Sequence, residues 1–415
     1  MLVLASRAAK RLGGFAASVI LLAVASLLLM PATIGAAGLQ IWSSIVLGQA
    51  LAQIAATVVG WGYGVNGPAI VATRTPEGSV MYFRMAQRTK FAVGLPCVLL
   101  MVGAMLAIPN PDPVAGILGG APLVINAFSA IFFYIGRAAP LWLLFAETVP
   151  RVSLMFAGAA ALALGAPLLV GLTLPVIGTA LGVAISYISI CRSSRRHANS
   201  APPSELGGVR VQLRAQIGPA AASMLRGGRD AIPVLLLTAL ATDLVAVFGI
   251  YDRVQRQALG ALAPLTSALQ GWVPHRMAKE ASARPAIAAA LAGFAAALAI
   301  LAGFSLLGAP LVSWLAAGTI DPTSTEIFFC GAVIASSILV QIVGYACLVP
   351  LGGIRNVVRA NVVGIVGILI ALPVVASLEH SVAYALGALV IGNAAQIFSQ
   401  LVSMRRHLAR PPLLE

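Results

Sequence analysis

Two short charge clusters lie inside apolar segments, and they are the residues of this chain best suited to chemistry. The segment IGPAAASMLRGGRDAIPVLLLTAL, from Ile217, holds Arg226, Arg229 and Asp230. Their i, i+3, i+4 spacing puts all three on one face of a helix. The next segment carries YDRVQRQALGALAP from Tyr251, where Asp252 and Arg256 are i, i+4 partners and Arg253 sits beside them. Charge inside a membrane segment is costly and usually functional, and it faces water or protein rather than lipid. Four arginines against two acids leave an excess of about two positive charges, and the planar guanidinium fork suits bidentate contact with phosphate. One reading is therefore an anion site. A second is structural: Arg229–Asp230 and Asp252–Arg256 neutralise one another and hold two helices together. A third is that the helix ends lie elsewhere and the clusters fall outside the apolar segments. Local pairing accounts for both acids and leaves two arginines over.

A weaker set comprises Arg137, Trp142, Glu147 and Arg151. It reads either as a membrane-interface loop with a Trp anchor or as a place where Arg137 or Glu147 lines a cavity. Gln49, Gln53 and Asn66 are polar positions in an apolar stretch, able to bind a sugar or to join helices. Enzyme chemistry has little support. The 12 acidic residues form no DxD pair on a loop, and there is no GxxxxGK[ST] phosphate loop. Cys97, Cys191, Cys330 and Cys347 have no paired spacing, and His197, His275, His380 and His407 are scattered, so no metal site or resident cofactor is expected.

The elements that position these residues follow from composition. Hydrophobic residues make up 60% of the chain and charged ones 9%, against about 25% charged in soluble domains. That excludes a soluble fold and implies an all-α integral membrane protein. Runs of about 20 apolar residues predict twelve helices near 13–34, 43–67, 91–108, 117–136, 149–169, 174–191, 213–240, 245–270, 286–307, 326–349, 360–377 and 382–403. The first run is read as a retained helix rather than a signal peptide. Gly227-Gly228 and Pro233 are expected to weaken or kink the seventh helix. GWGYGVNGPA, from Gly60, must break or tightly pack the end of the second.

The net charge of +14 lies in short loops, where it orients the chain and meets anionic lipid, so nucleic acid is not an expected partner. Lys and Arg crowd every second gap between apolar runs, including Arg74/Arg84/Arg88/Lys90, and leave the alternate gaps empty. The positive-inside rule then places both termini in the cytoplasm. The polar stretch from Arg192 divides the chain into a six-helix bundle over 1–191, a linker over 192–212, a second bundle over 213–404 and a tail over 405–415. That layout is common among transporters.

IWSSIVLGQALAQIAATVVGWGYGVNGPAIVATR from Ile41, PLWLLFAETVPR from Pro140 and GIYDRVQRQALGALAPLTSAL from Gly249 carry a family resemblance. With the six-plus-six layout they resemble the polysaccharide (O-antigen-type) flippases of the multidrug/oligosaccharidyl-lipid/polysaccharide exporter superfamily. The resemblance implies two bundles forming a V-shaped central cavity. It also implies a polyprenyl-pyrophosphate-linked oligosaccharide moved from the inner to the outer leaflet of the cytoplasmic membrane. Polymerase or glycosyltransferase machinery would be the pathway partner. Substrate binding would fall on Arg226, Arg229, Arg253 and Arg256. The acids beside them leave proton or sodium coupling through Asp230 or Asp252 open. Two alternatives stand: a cation-coupled multidrug exporter of the same superfamily, and a membrane polymerase or ligase.

Overall fold

A computed structural model describes residues 2–195, 208–280, 282–378 and 381–408. Most of the linker, the end of the tail, His197 and His380 lie outside the described residues. The described chain is helical throughout, without strands. The first half contains α1 (Leu2–Gly60), α2 (Tyr63–Thr73), α3 (Pro76–Ala107), α4 (Pro113–Asn126), α5 (Ile131–Gly136), α6 (Pro140–Leu143), α7 (Val149–Ala163) and α8 (Leu168–Arg195). The second contains α9 (Val209–Ala215), α10 (Ile217–Leu240), α11 (Val245–Glu280), α12 (Arg284–Leu315), α13 (Ser324–Gln341), α14 (Ile354–Leu378) and α15 (Val382–Leu408). Two π-helical turns, Leu144–Thr148 and Ile342–Leu348, join α6 to α7 and extend α13.

Nine helical stretches among the described residues are long and apolar enough to cross a bilayer. One of them, Ala17–Thr73, has 57 residues, about 85 Å of helix at 1.5 Å per residue and enough for two crossings of a core about 30 Å thick. Its break is Gly38, at φ 75° and ψ 169°. The helices α10 and α11 have the length and carry the two charge clusters. With them the described residues supply the twelve crossing helices expected of the chain.

Local chemistry sets the helix starts. The Thr75 side chain accepts from Gly78 N at 3.2 Å, with Pro76 at the first helical position. Asp112 caps α4 by accepting from Ala115 N at 2.9 Å. Thr323 and Glu326 form a reciprocal capping box on α13. The break expected after the second span is present: Trp61 (φ 41°) and Gly62 (φ 76°) separate α1 from α2. A Cβ on Gly62 would meet Pro219 Cβ at 2.6 Å, so only glycine fits there.

Four expectations need correcting. Arg84, Arg88 and Lys90 are not in a loop, because α3 starts at Pro76 and carries them as helical residues. The predicted helix over 117–136 is interrupted between α4 and α5. Residues expected to form the loop around Trp142 and Glu147 are helical or π-helical. Finally, α10 runs unbroken through Gly227, Gly228 and Pro233, since packing overrides the local propensity.

The chain divides into two compact units, Met1–Leu235 and Leu236–Glu415. In the first, an aromatic cluster of Tyr63, Tyr82, Phe83, Phe132, Phe133 and Tyr134 forms the core. The first half of α10 belongs to this unit, where Gly227 packs directly on Thr57 of α1. In the second, α13 is buried along most of its length, and α14 meets α15 at Gly364, Gly367 and Gly392, where backbones approach closely.

Candidate functional site

The densest polar chemistry in the first unit surrounds the interruption between α4 and α5. No Gly or Pro explains it, since the residues are Ala127, Phe128, Ser129 and Ala130. Side chains from neighbouring helices take the freed backbone groups. Gln87 Nε2 of α3 donates to Phe128 O at 2.8 Å, and Lys90 Nζ, one turn on, donates to Ser129 O at 3.4 Å. From the π-helical turn, Glu147 accepts from Ala130 N at 2.7 Å and from the Ser129 hydroxyl. Arg151 of α7 donates through Nη1 to Asn126 Oδ1 at 2.9 Å.

All of this lies inside protein. Lys90 is 3% exposed and Glu147 8%, and the Lys90 ammonium also sits 5.0 Å from the centre of the Phe132 ring. A broken helix is tolerated in a bilayer where protein groups re-satisfy its backbone, and each bond to an ionised group contributes about 1.5–3 kcal/mol. The arrangement can hold a carboxylate and two cations in water-poor surroundings around a helix that is already cut. Such discontinuous helices are where transporters place ions and substrates.

The weaker sequence set thus divides. Glu147 is buried and tied to the break. Arg137 lies outside that cluster, exposed just after α5, and Trp142 is exposed as an interface anchor would be. Sequence reasoning missed Gln87, Lys90, Asn126 and Ser129. The available signal was the i, i+3 spacing of Gln87 and Lys90 on α3. Gln49 and Gln53 are half-buried on one face of α1, and Asn66 is half-buried on α2 with its Oδ1 buried and lacking a hydrogen-bond donor.

The four arginines divide between the units. Arg226 and Asp230 are exposed on α10 and Arg229 is half-buried. On α11 the structure brings one expected pair together: Arg256 Nε donates to Asp252 Oδ2 at 2.7 Å. Both partners are partly exposed. Beside them Tyr251 is fully buried and its hydroxyl donates to Glu326 Oε2 at 3.2 Å, which ties α11 to the capped start of α13.

No protein-family model matches the chain, and no curated protein matches it. Solved structures do. The chain is similar to a multidrug resistance MATE family transporter of the MOP superfamily in its inward-facing conformation. The TM-score is 0.71 at 15% identity, covering 93% of this chain and 95% of that one. The Vibrio cholerae MATE transporter VcmN in its bent form gives a TM-score of 0.54 at 17% identity over 98% and 97% of the two chains. An outward-facing MATE family transporter gives 0.55 at 13% identity over 95% and 94%. From end to end, then, the chain has the fold of the MATE transporters of the MOP superfamily.

Proposed function

We propose that the protein is a transporter that works by alternating access, an exporter of the multidrug type coupled to a proton or sodium gradient. The observation that carries this reading is the likeness of fold to a multidrug resistance transporter across nearly the whole of both chains. Transporters of that fold have been solved facing inward and facing outward, as alternating access requires. Asp230 and Asp252 are the acids assigned to coupling. Asp252 already accepts from Arg256, so a coupling cation would compete with the guanidinium for the carboxylate. The protein would sit in the cytoplasmic membrane with both termini inside. The test is drug susceptibility in cells stripped of their own exporters. Expression should raise resistance to cationic drugs several-fold, and Asp230→Asn or Asp252→Asn should abolish the gain. No gain against any cationic drug, with the protein present in the membrane, would remove this reading.

One observation favours a second reading. Arginines outnumber acids four to two in the two charge clusters of α10 and α11, which suits an anionic cargo better than a cationic one. A flippase for polyprenyl-pyrophosphate-linked oligosaccharide would use Arg226, Arg229, Arg253 and Arg256 on the pyrophosphate. Loss of the gene would then remove surface polysaccharide and leave lipid-linked precursor in the inner leaflet. Arg229→Ala or Arg256→Ala would do the same, and Arg→Lys would retain part of the function because it keeps charge but loses the fork.

A further inference from the structure

Helix α15 carries Asn393, Gln396 and Gln400 at i, i+3 and i+7, so the three amides share one face. All three are buried inside the second unit, Gln396 and Gln400 at 0% exposure. The first is well served: Asn393 Nδ2 donates to the Ser336 and Ser337 hydroxyls of α13 at 2.8 and 3.1 Å. The second is half served. Gln396 Nε2 donates to Asn361 Oδ1 of α14, while its Oε1 has no donor. The third is not served, for neither Oε1 nor Nε2 of Gln400 has a partner. Its amide lies against the π-helical turn, where a Cβ on Gly344 would come 2.7 Å from Nε2.

Burying an amide without partners costs roughly 2–7 kcal/mol in an apolar medium. Gly344 of the π-helical turn lies against this amide, so only a small ligand could reach it and relieve that cost. The unmet groups define that ligand. Two amide oxygens call for a donor, and one amide nitrogen calls for an acceptor. A cation would serve the oxygens and leave the nitrogen bare; an anion would do the reverse. A small neutral molecule that both donates and accepts serves all three, and water is that molecule. Exchanging O and N of the Gln400 amide changes nothing, since both atoms are unmet.

We propose that Gln396 and Gln400 form a built water site in the second unit, with ordered water bridging their amides beside the π-helical turn. The same face of α15 continues to His407, whose Nε2 lies 3.0 Å from Asn356 Nδ2 on α14, so the polar file leads from the site toward the basic end of the helix. The water supplies the hydrogen bonds that the π turn and the α14–α15 packing leave out.

Pulsed hydroxyl-radical labelling of the full chain in lipid nanodiscs tests this, because ordered water oxidises side chains that bulk solvent does not reach. Met404 is one turn from Gln400, packs in the cluster with Cys347 and Val357, and is 5% exposed. Met101 in the first unit is also 5% exposed and serves as the matched control. Met404 should be oxidised faster than Met101, and Gln400→Leu should bring it down to the Met101 rate. Should Gln400→Leu not fold, Gly344→Ala presses a methyl onto the same amide and is read the same way. Equal rates at Met404 and Met101 in the natural chain would overturn the proposal. So would an unchanged Met404 rate in a folded variant.

Discussion

In the first unit a π-helical turn brings the Glu147 carboxylate to a cut helix; in the second, a π-helical turn leaves room for the amide of Gln400. The first arrangement is ionic. Glu147, Lys90 and Arg151 each reach the Asn126–Ala130 stretch through a hydrogen bond, although Arg151 Nε is buried without a partner of its own. The second is neutral and incomplete, built from amides and hydroxyls, with two of its side chains short of partners. Extra turns of this kind recur at functional sites, but the two do different work here. Ionised groups hold an irregular backbone firmly, because removing one leaves the others buried and uncompensated. Neutral groups hold less firmly, and here two of them lack protein partners.

The comparison is broken most severely at Glu147. Glu147→Ala strips Ala130 N and the Ser129 hydroxyl of their acceptor and leaves Lys90 and Arg151 without a counter-charge. Breaking a buried charged network in this way costs about 3–5 kcal/mol, to be read as a loss of thermal stability in detergent. Glu147→Gln, which keeps the shape and one acceptor, should cost less, and Lys90→Met should soften the loss in the Ala variant. If Glu147→Ala melts with the natural protein, the ionic account of the break is wrong.

The effect should be smaller in the neutral unit. Gln396→Leu leaves Asn361 Oδ1 without its donor and should cost about 1–3 kcal/mol, measured the same way. A larger loss than at Glu147 would invert the comparison. Smallest of all is the Asp252–Arg256 pair. Both partners are partly exposed, at 20% and 31%, and such pairs contribute about 0–1 kcal/mol. Asp252→Asn should therefore leave the melting temperature nearly unchanged while removing transport. That separation of stability from function would mark the pair as working rather than structural.

The helix count was legible because apolar run length reports it directly. The charge clusters of α10 and α11 stood out in the sequence for the same reason, since charge contrasts with an apolar run. The break at Trp61-Gly62 was legible from its glycines. The break at Asn126–Ala130 was not, because nothing in Ala127–Ala130 interrupts a helix; side chains from α3 and α7 and the turn before α7 create it from a distance. Lys90 was misplaced because a helix that begins in a basic, amphipathic stretch looks like a loop when only apolar length is read. The Asn393–Gln400 face was hidden inside an apolar run whose average concealed its one polar side. Charged and bent features thus show in the sequence when their cause is local, and fail to show when it is tertiary.

Export by a chain with the MATE fold can be read from ethidium accumulation in cells lacking their own exporters. Cells expressing the natural chain should hold less dye than cells carrying an empty vector. The difference should vanish on adding a protonophore or removing sodium, and in Asp230→Asn and Asp252→Asn at equal membrane levels. Accumulation equal to the empty vector, together with loss of surface polysaccharide when the gene is removed from its own host, would contradict export of the multidrug type and transfer the fold to the flippase reading.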